Sequence, residues 1–228
     1  MDCIGLSHFR STQLVSRGFK LQTVEHFLAA CYLAGVTDLD IDIDSLEIPI
    51  MDGSALDFYE RFLNAGLQAI GEDEMDMVII QKPSVLLCNN NIGFYLYPDD
   101  LSRFTYILDY DHPQIGLQIS HFCLEESCDV EKQKIASSRT FGFLSDLEML
   151  NKQGKALGAS VDNCIVIDEK VIQTPLRDPN ELATHKLLDL LGDLSLLAKS
   201  IRGHIVAVKT GHANNVELVK VLDKLTID

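Results

Sequence analysis

The amino-acid sequence predicts an α+β fold, with helices packed on mostly antiparallel sheets. Three observations carry that expectation. Segments with strand alternation and segments with helical periodicity occur in both halves, without the strict alternation of a βαβ chain. Hydrophobic residues make up 46% of the 228, enough for a sizeable core. An acidic link, Gly71-Glu72-Asp73-Glu74, separates the halves and predicts two domains, 1–72 and 73–228.

The elements follow in order. From Thr23 to Leu33, apolar residues at Val24, Phe27, Leu28, Cys31 and Tyr32 keep helical spacing, and Gly35 stands where a C-terminal cap belongs. Leu39, Ile41 and Ile43 then alternate with Asp40, Asp42 and Asp44, the pattern of a half-buried strand. A turn-bearing segment, Ile48 to Gly53, leads into a helix over Ala55 to Ala65. Beyond the link, strands are expected at Met77–Ile80, Val85–Cys88, Gly93–Tyr97 and Phe104–Leu108. A helix near Phe143–Gln153 and a strand at Asn163–Ile167 come next. Pro179 precedes a long helix running from about Asn180 to Leu197. Strand Ile205–Lys209, a Gly-His turn and a helix at Asn215–Leu225 close the chain.

Composition narrows the function. A formal net charge of −15 repels nucleic acid and anionic membrane surfaces, so neither is an expected partner. A small anionic ligand needs only a local cluster of cations. No apolar run approaches the roughly 18 residues of a membrane span, since Asp189 and Asp193 interrupt the longest, Leu187 to Ala198. The start has no apolar core of a secretory signal, so the cytoplasm is the expected compartment. The six cysteines contain no CxxC pair and read as thiols in a reducing compartment.

Chemistry concentrates in a few segments. On a helix, residues four apart share a face, so His185, Asp189 and Asp193 form one polar stripe. Leu187, Leu188, Leu190, Leu191 and Leu194 fill the rest of the circumference, which predicts burial. Buried ionisable groups are costly unless paired or bound to metal. A His and a carboxylate at i, i+4 can chelate one ion, and they can equally form a structural ion pair lining a groove. Glu25-His26 on another apolar helix offers a further ligand beside a carboxylate able to accept a proton from water. His212, after Gly211, sits in a turn from which a side chain can project into a cleft. His8, His112, His121 and His204 lack such surroundings and read as structural or solvated.

The segments TVEHFLAA, EIPIMDGSALDFYE, SRTFGF, LGASVDN, HKLLDLLGDLSLL and KTGHANNVELVKVL resemble, in order and approximate spacing, the signatures of the UDP-3-O-acyl-N-acetylglucosamine deacetylase family. The resemblance covers nearly the whole chain. It implies two similar layered domains whose helices are sandwiched between two sheets. It implies a zinc enzyme of lipid A biosynthesis that hydrolyses the N-acetyl group of a UDP-linked acylated amino sugar. Carried over, the zinc ligands are His26, His185 and Asp189. Glu25 is the general base, His212 the positively charged partner, Asp193 the residue that orients His212, and Thr140 a holder of the oxyanion. Lys186, Phe141 and Phe143 contact substrate. Phe141, Phe143, Leu147, Ala156, Leu157, Ser160 and Val166 fall in the segment that forms an acyl passage, and Asp52 and Gly53 form a structural turn. Opening strands that the family places ahead of the segment matching Ser7–Glu25 have no counterpart here, so the first domain is expected to lack part of its sheet.

Two other classes compete with an amidohydrolase. One is a non-catalytic or degenerate homologue that binds a nucleotide-sugar or acyl ligand; the other is a metal-stabilised structural module. Glu25 and His212 together separate them. A binding protein has no need of both, and a closed structural site needs a fourth ligand that the sequence does not offer.

Overall fold

A computed structural model describes residues 4–8, 11–70, 76–89, 91–146 and 163–224. The fold is α+β. The predicted boundary at 72/73 falls outside the described residues, as do Leu147, Ala156, Leu157, Ser160 and most of the helix expected near Phe143–Gln153.

The chain opens with a three-stranded antiparallel sheet, β1 (Ile4–His8), β2 (Ser11–Ser16) and β3 (Phe19–Gln22). The sequence reading finds no strand ahead of Thr23, because these short segments carry no clear alternation. Helix α1 (Glu25–Ala34) follows, and ends as expected at Gly35. That residue has φ 74°, a left-handed conformation that glycine adopts without the Cβ penalty.

The strand expected over Leu39–Ile43 does not form. Residues 36–43 have no regular structure, and Leu39 and Ile41 are exposed. Alternation makes a segment compatible with a sheet, but backbone hydrogen bonds from a neighbour make it a strand, and no described strand lies alongside. Helix α2 (Leu56–Ala65) then packs on α1.

The larger sheet has six strands. Its order is β5 (Ser84–Asn89), β6 (Ile92–Tyr97), β11 (Ser200–Val208), β7 (Ser102–Tyr110), β8 (Gly116–Cys123), with β4 (Met77–Ile79) also pairing with β11. The β11 pairings with β7 and β4 are parallel and the others antiparallel. Strand β8 and helix α3 (Asp129–Ala136) escape the sequence reading. The first turns Gln118 toward the core, and the second is mostly polar. A two-stranded parallel pair, β9 (Phe141–Phe143) and β10 (Ile165–Ile167), stands apart.

Helix α4 (Glu181–Leu194) is the centre of the molecule, and every residue of it except Lys186 is buried. It lies on β7 and β8, against α1, and against α5 (His212–Asp223). Since α5 in turn touches β1 and β2, the helices sit between the two sheets. The inner sheet face supplies Phe94, Leu96, Phe104, Tyr106, Leu108, Ile205 and Ala207 to one core with Leu187, Leu190 and Leu191.

Candidate active site

Helix periodicity brings the candidate ligands together. His185 and Asp189 are one turn apart on α4, and His26 faces them from α1. One nitrogen or oxygen from each of the three lies within 4.8 Å of the others. His26 Nε2 and His185 Nε2 stand 3.5 Å and 3.4 Å from the same atom, Asp189 Oδ1. That atom is buried and has no hydrogen-bond partner among the described residues, so its charge is aimed at the space between the rings.

The His185 tautomer is fixed. Its Nδ1–H donates to the Ser138 carbonyl at 3.0 Å, leaving the Nε2 lone pair toward Asp189. Burial holds the ring neutral by lowering its pKa to about 3. Burial alone would raise the Asp189 carboxyl, but His185, Lys186 and His212 hold it well below the usual range. Two imidazoles and an ionised carboxylate are a zinc donor set. Tetrahedral donors about 2.1 Å from zinc lie roughly 3.4 Å apart. Asp189 Oδ1 stands at that spacing from each imidazole nitrogen, so the residues fit the ion.

One helical turn further, Asp193 faces the start of α5. His212 Nδ1–H donates to Asp193 Oδ2 at 2.9 Å, and Asn215 Nδ2 donates to the same oxygen at 2.8 Å. His212 Nε2 thereby points to Glu25 Oε1 at 3.9 Å and Asp189 Oδ2 at 3.8 Å. Burial would lower the His212 imidazole, yet Asp193, Asp189 and Glu25 raise it to about 9, so it carries a proton at neutral pH. Burial raises Glu25, against the pull of His212 and His26. A carboxyl so placed holds a proton more readily than one in water.

Lys186 Nζ donates to Asp189 Oδ2 at 2.7 Å and lies 5.6 Å from the centroid of the Phe141 ring. Phe141 also packs edge-on to His185. Phe143 sits further out, against Tyr110 and His112. Thr140 is two residues beyond Ser138. Its N–H donates to the Gly53 carbonyl at 2.7 Å, and its own carbonyl accepts from Ile165. Gly53, at φ 85°, lets these chains meet, because a Cβ there would lie 2.1 Å from the Asn163 carbonyl oxygen. Asp52 holds the turn through Ser54 and Arg177. Val166 is buried beside Gly142 in the β9–β10 pair.

Among the remaining histidines, His112 bonds the Asp168 carbonyl, and His121 and His204 share Thr105 on the outer sheet face. Sequence reading misses Thr12, and it assigns no role to Ser138, Gly192 and Asn215 although each lies in a segment it singles out. Gly192 leaves a signal of its own, a glycine inside an otherwise leucine-rich helix.

The chain resembles known proteins over most of its length. The family model described as UDP-3-O-acyl N-acetylglycosamine deacetylase matches residues 5–224. The UDP-3-O-acyl-N-acetylglucosamine deacetylase of Leptospira biflexa is 39% identical over 202 residues, which cover 88% of this chain and 66% of that protein. The enzyme of that name from Syntrophus aciditrophicus is 40% identical over 214 residues, covering 93% and 67%. That from Thermodesulfovibrio yellowstonii is 39% identical over 219 residues, covering 93% and 72%. The chain thus spans about two thirds of the length of the relatives it matches.

Proposed function

Because the chain belongs to the UDP-3-O-acyl N-acetylglycosamine deacetylase family, we propose that it catalyses zinc-dependent hydrolysis of the N-acetyl group of UDP-3-O-acyl-N-acetylglucosamine. The products are acetate and a free 2-amino sugar, and the proposed setting is lipid A biosynthesis in the cytoplasm. Free thiols at Cys31, Cys88, Cys123 and Cys128 are in keeping with a reducing compartment. Among the described residues, no helix is long and apolar enough to cross a membrane.

One observation carries the reading: a three-residue donor set has a proton acceptor, Glu25, and a proton donor, His212, beside it and 3.9 Å from each other. His26, His185 and Asp189 would hold the zinc. When bound, it supplies Lewis-acid polarisation and lowers the pKa of water toward roughly 7. Glu25 takes the proton as water attacks the acetamide carbonyl. Burial, by raising its pKa, makes Glu25 a better acceptor than a solvated carboxylate. Thr140, beside the Ser138 anchor of His185, donates its hydroxyl to the oxyanion. His212 brings an imidazolium to the same side as Glu25 and gives its Nε2 proton to the departing amine. Asp193 keeps that ring charged and turned inward. Lys186 offsets the negative charge of Asp189 and, with Phe141 and Phe143, meets the sugar nucleotide and its acyl chain.

The test is zinc analysis coupled to acetate release from the UDP-linked substrate. The expected result is one zinc per chain and turnover that disappears on chelation. Zinc-free protein with full turnover overturns the reading.

A further inference from the structure

Glu25 and Asp193 come from different helices, and a single residue of β2 touches both. The Thr12 backbone N–H donates to Glu25 Oε2 at 3.0 Å. The Thr12 hydroxyl donates to Asp193 Oδ1 at 2.6 Å. Thr12 is fully buried, as is Asp193, and Glu25 is nearly so. In so dry a setting, hydrogen bonds to ionised groups are short and directional.

The two bonds divide the labour of each carboxylate. Glu25 gives Oε2 to Thr12 and keeps Oε1 turned toward His212. Asp193 gives Oδ1 to Thr12 and offers Oδ2 to His212 and Asn215. Without the hydroxyl, Asp193 Oδ1 loses its only donor among the described residues, and the carboxylate plane is free to rotate about the Oδ2 contacts. His212, whose ring direction depends on that plane, would turn with it.

We propose that Thr12 is a positioning residue that sets the relative orientation of Glu25 and the Asp193–His212 pair. The proposal rests on the deacetylase reading for its kinetic consequences but not for its geometry. Thr12 touches neither the donor set nor, on this account, the substrate. Its loss therefore lowers kcat and leaves zinc content and KM close to wild type.

Two substitutions separate the hydroxyl from packing. Thr12→Val keeps the volume, the β-branch and the backbone N–H, but removes the donor. Thr12→Ser keeps the donor and removes a methyl group. The expected order is wild type, then Ser close behind, then Val with kcat lowered about 10- to 100-fold, as a displacement near 1 Å costs in rate. An activity-free reading accompanies it. The hydrogen-bonded imidazole N–H resonance of His212, assigned by its loss in His212→Gln, should move in the Val variant and hold its position in the Ser variant. The proposal is overturned if the Val variant keeps both the wild-type resonance and wild-type kcat, or if Ser is impaired as much as Val. A wild-type protein that releases no acetate removes the deacetylase reading alone, because the resonance comparison still decides the role of Thr12.

Discussion

Gly192 and Glu25 mark the point where α4 crosses α1, and their backbones almost touch. A Cβ on Gly192 would lie 2.0 Å from the Glu25 carbonyl oxygen and 3.2 Å from the Ala29 nitrogen. Neither obstacle is a flexible side chain. The glycine therefore sets how near His26, on α1, stands to Asp189, on α4.

Gly192→Ala tests that spacing. Alanine inside a helix gains about 1 kcal/mol over glycine. Forcing a methyl against backbone typically costs about 1–3 kcal/mol, and here the approach is far below contact distance, so the clash wins. Melting should fall by about 5 °C at the roughly 2–4 °C per kcal/mol of a chain this long. Zinc titration should show weaker binding. A variant as stable as wild type would show that the helices have room to spare.

Removing a ligand should remove the metal. His26→Ala, His185→Ala and Asp189→Ala are each expected to purify with little zinc by elemental analysis. Asp189→Ala also strands Lys186, which then lacks its described carboxylate partner, so it should be the least stable of the three. Unchanged zinc in His185→Ala would refute the donor set.

Glu25→Gln should keep zinc and lose about 10²–10⁴-fold in kcat, because it removes proton acceptance and leaves the donors in place. His212→Gln should also keep zinc and lower kcat more than it raises KM. Steady-state kinetics beside zinc content decide both. Turnover within about twofold of wild type in Glu25→Gln would eliminate it as the base.

The rate should follow a bell with pH. His212 acts protonated, so activity is lost as pH rises through its pKa. Its neighbours bring that pKa to about 9 against the effect of burial, and a bound divalent cation pulls it back toward the ordinary 6.5. The basic limb therefore falls between those values. Glu25 acts ionised, so activity is lost as pH falls through its pKa, which burial lifts above 4.5. Both limbs belong to the coupled site. Asp193→Asn removes the strongest of the partners that raise His212 and should shift the basic limb to lower pH. A rate that keeps climbing at alkaline pH rules out a required imidazolium.

A second buried pair supports the site from outside. Arg139 Nε and Nη2 donate to Glu181 Oε1 and Oε2 at 2.8 Å and 3.1 Å, and the Arg139 backbone N–H joins them at 3.2 Å. Glu181 thereby ties the start of α4 to the segment between α3 and β9 whose Ser138 carbonyl fixes His185. Glu181→Ala leaves the Arg139 guanidinium buried without its carboxylate, at a cost of about 3–5 kcal/mol. Denaturant melts should show that loss, with reduced zinc affinity. A shift below about 1 kcal/mol would mean the guanidinium finds water.

What the sequence discloses depends on how local the cause is. The stripe of His185, Asp189 and Asp193 is legible because helix geometry alone aligns it. Helices α1 and α2, and strands β4 to β7, follow from periodicity within a dozen residues. Residues 36–43 mislead for the complementary reason: Leu39 and Ile41 alternate with aspartates, but a strand is made by its neighbour. Thr12 and Asn215 look like any polar residues. Their importance lies in Asp193, which is distant in sequence from Thr12 and brought close only when β2 and α4 are both in place.

The position of β11 has a temporal consequence. It is the last of the described strands, yet it lies inside the larger sheet, bonded to β6 on one side and β7 on the other. Its partners Tyr97 and Arg103 precede His204 by roughly a hundred residues, a long loop whose closure must be met before any pairing is gained. On a ribosome, β6 and β7 emerge early and wait with unpaired edges until Ser200–Val208 arrives. Such topologies fold slowly and expose sticky intermediates. Helix α4 rests on the sheet that β11 completes, so His185 and Asp189 find His26 only near the end of folding. Zinc added to a refolding chain should therefore bind in the slow phase and not in the first collapse.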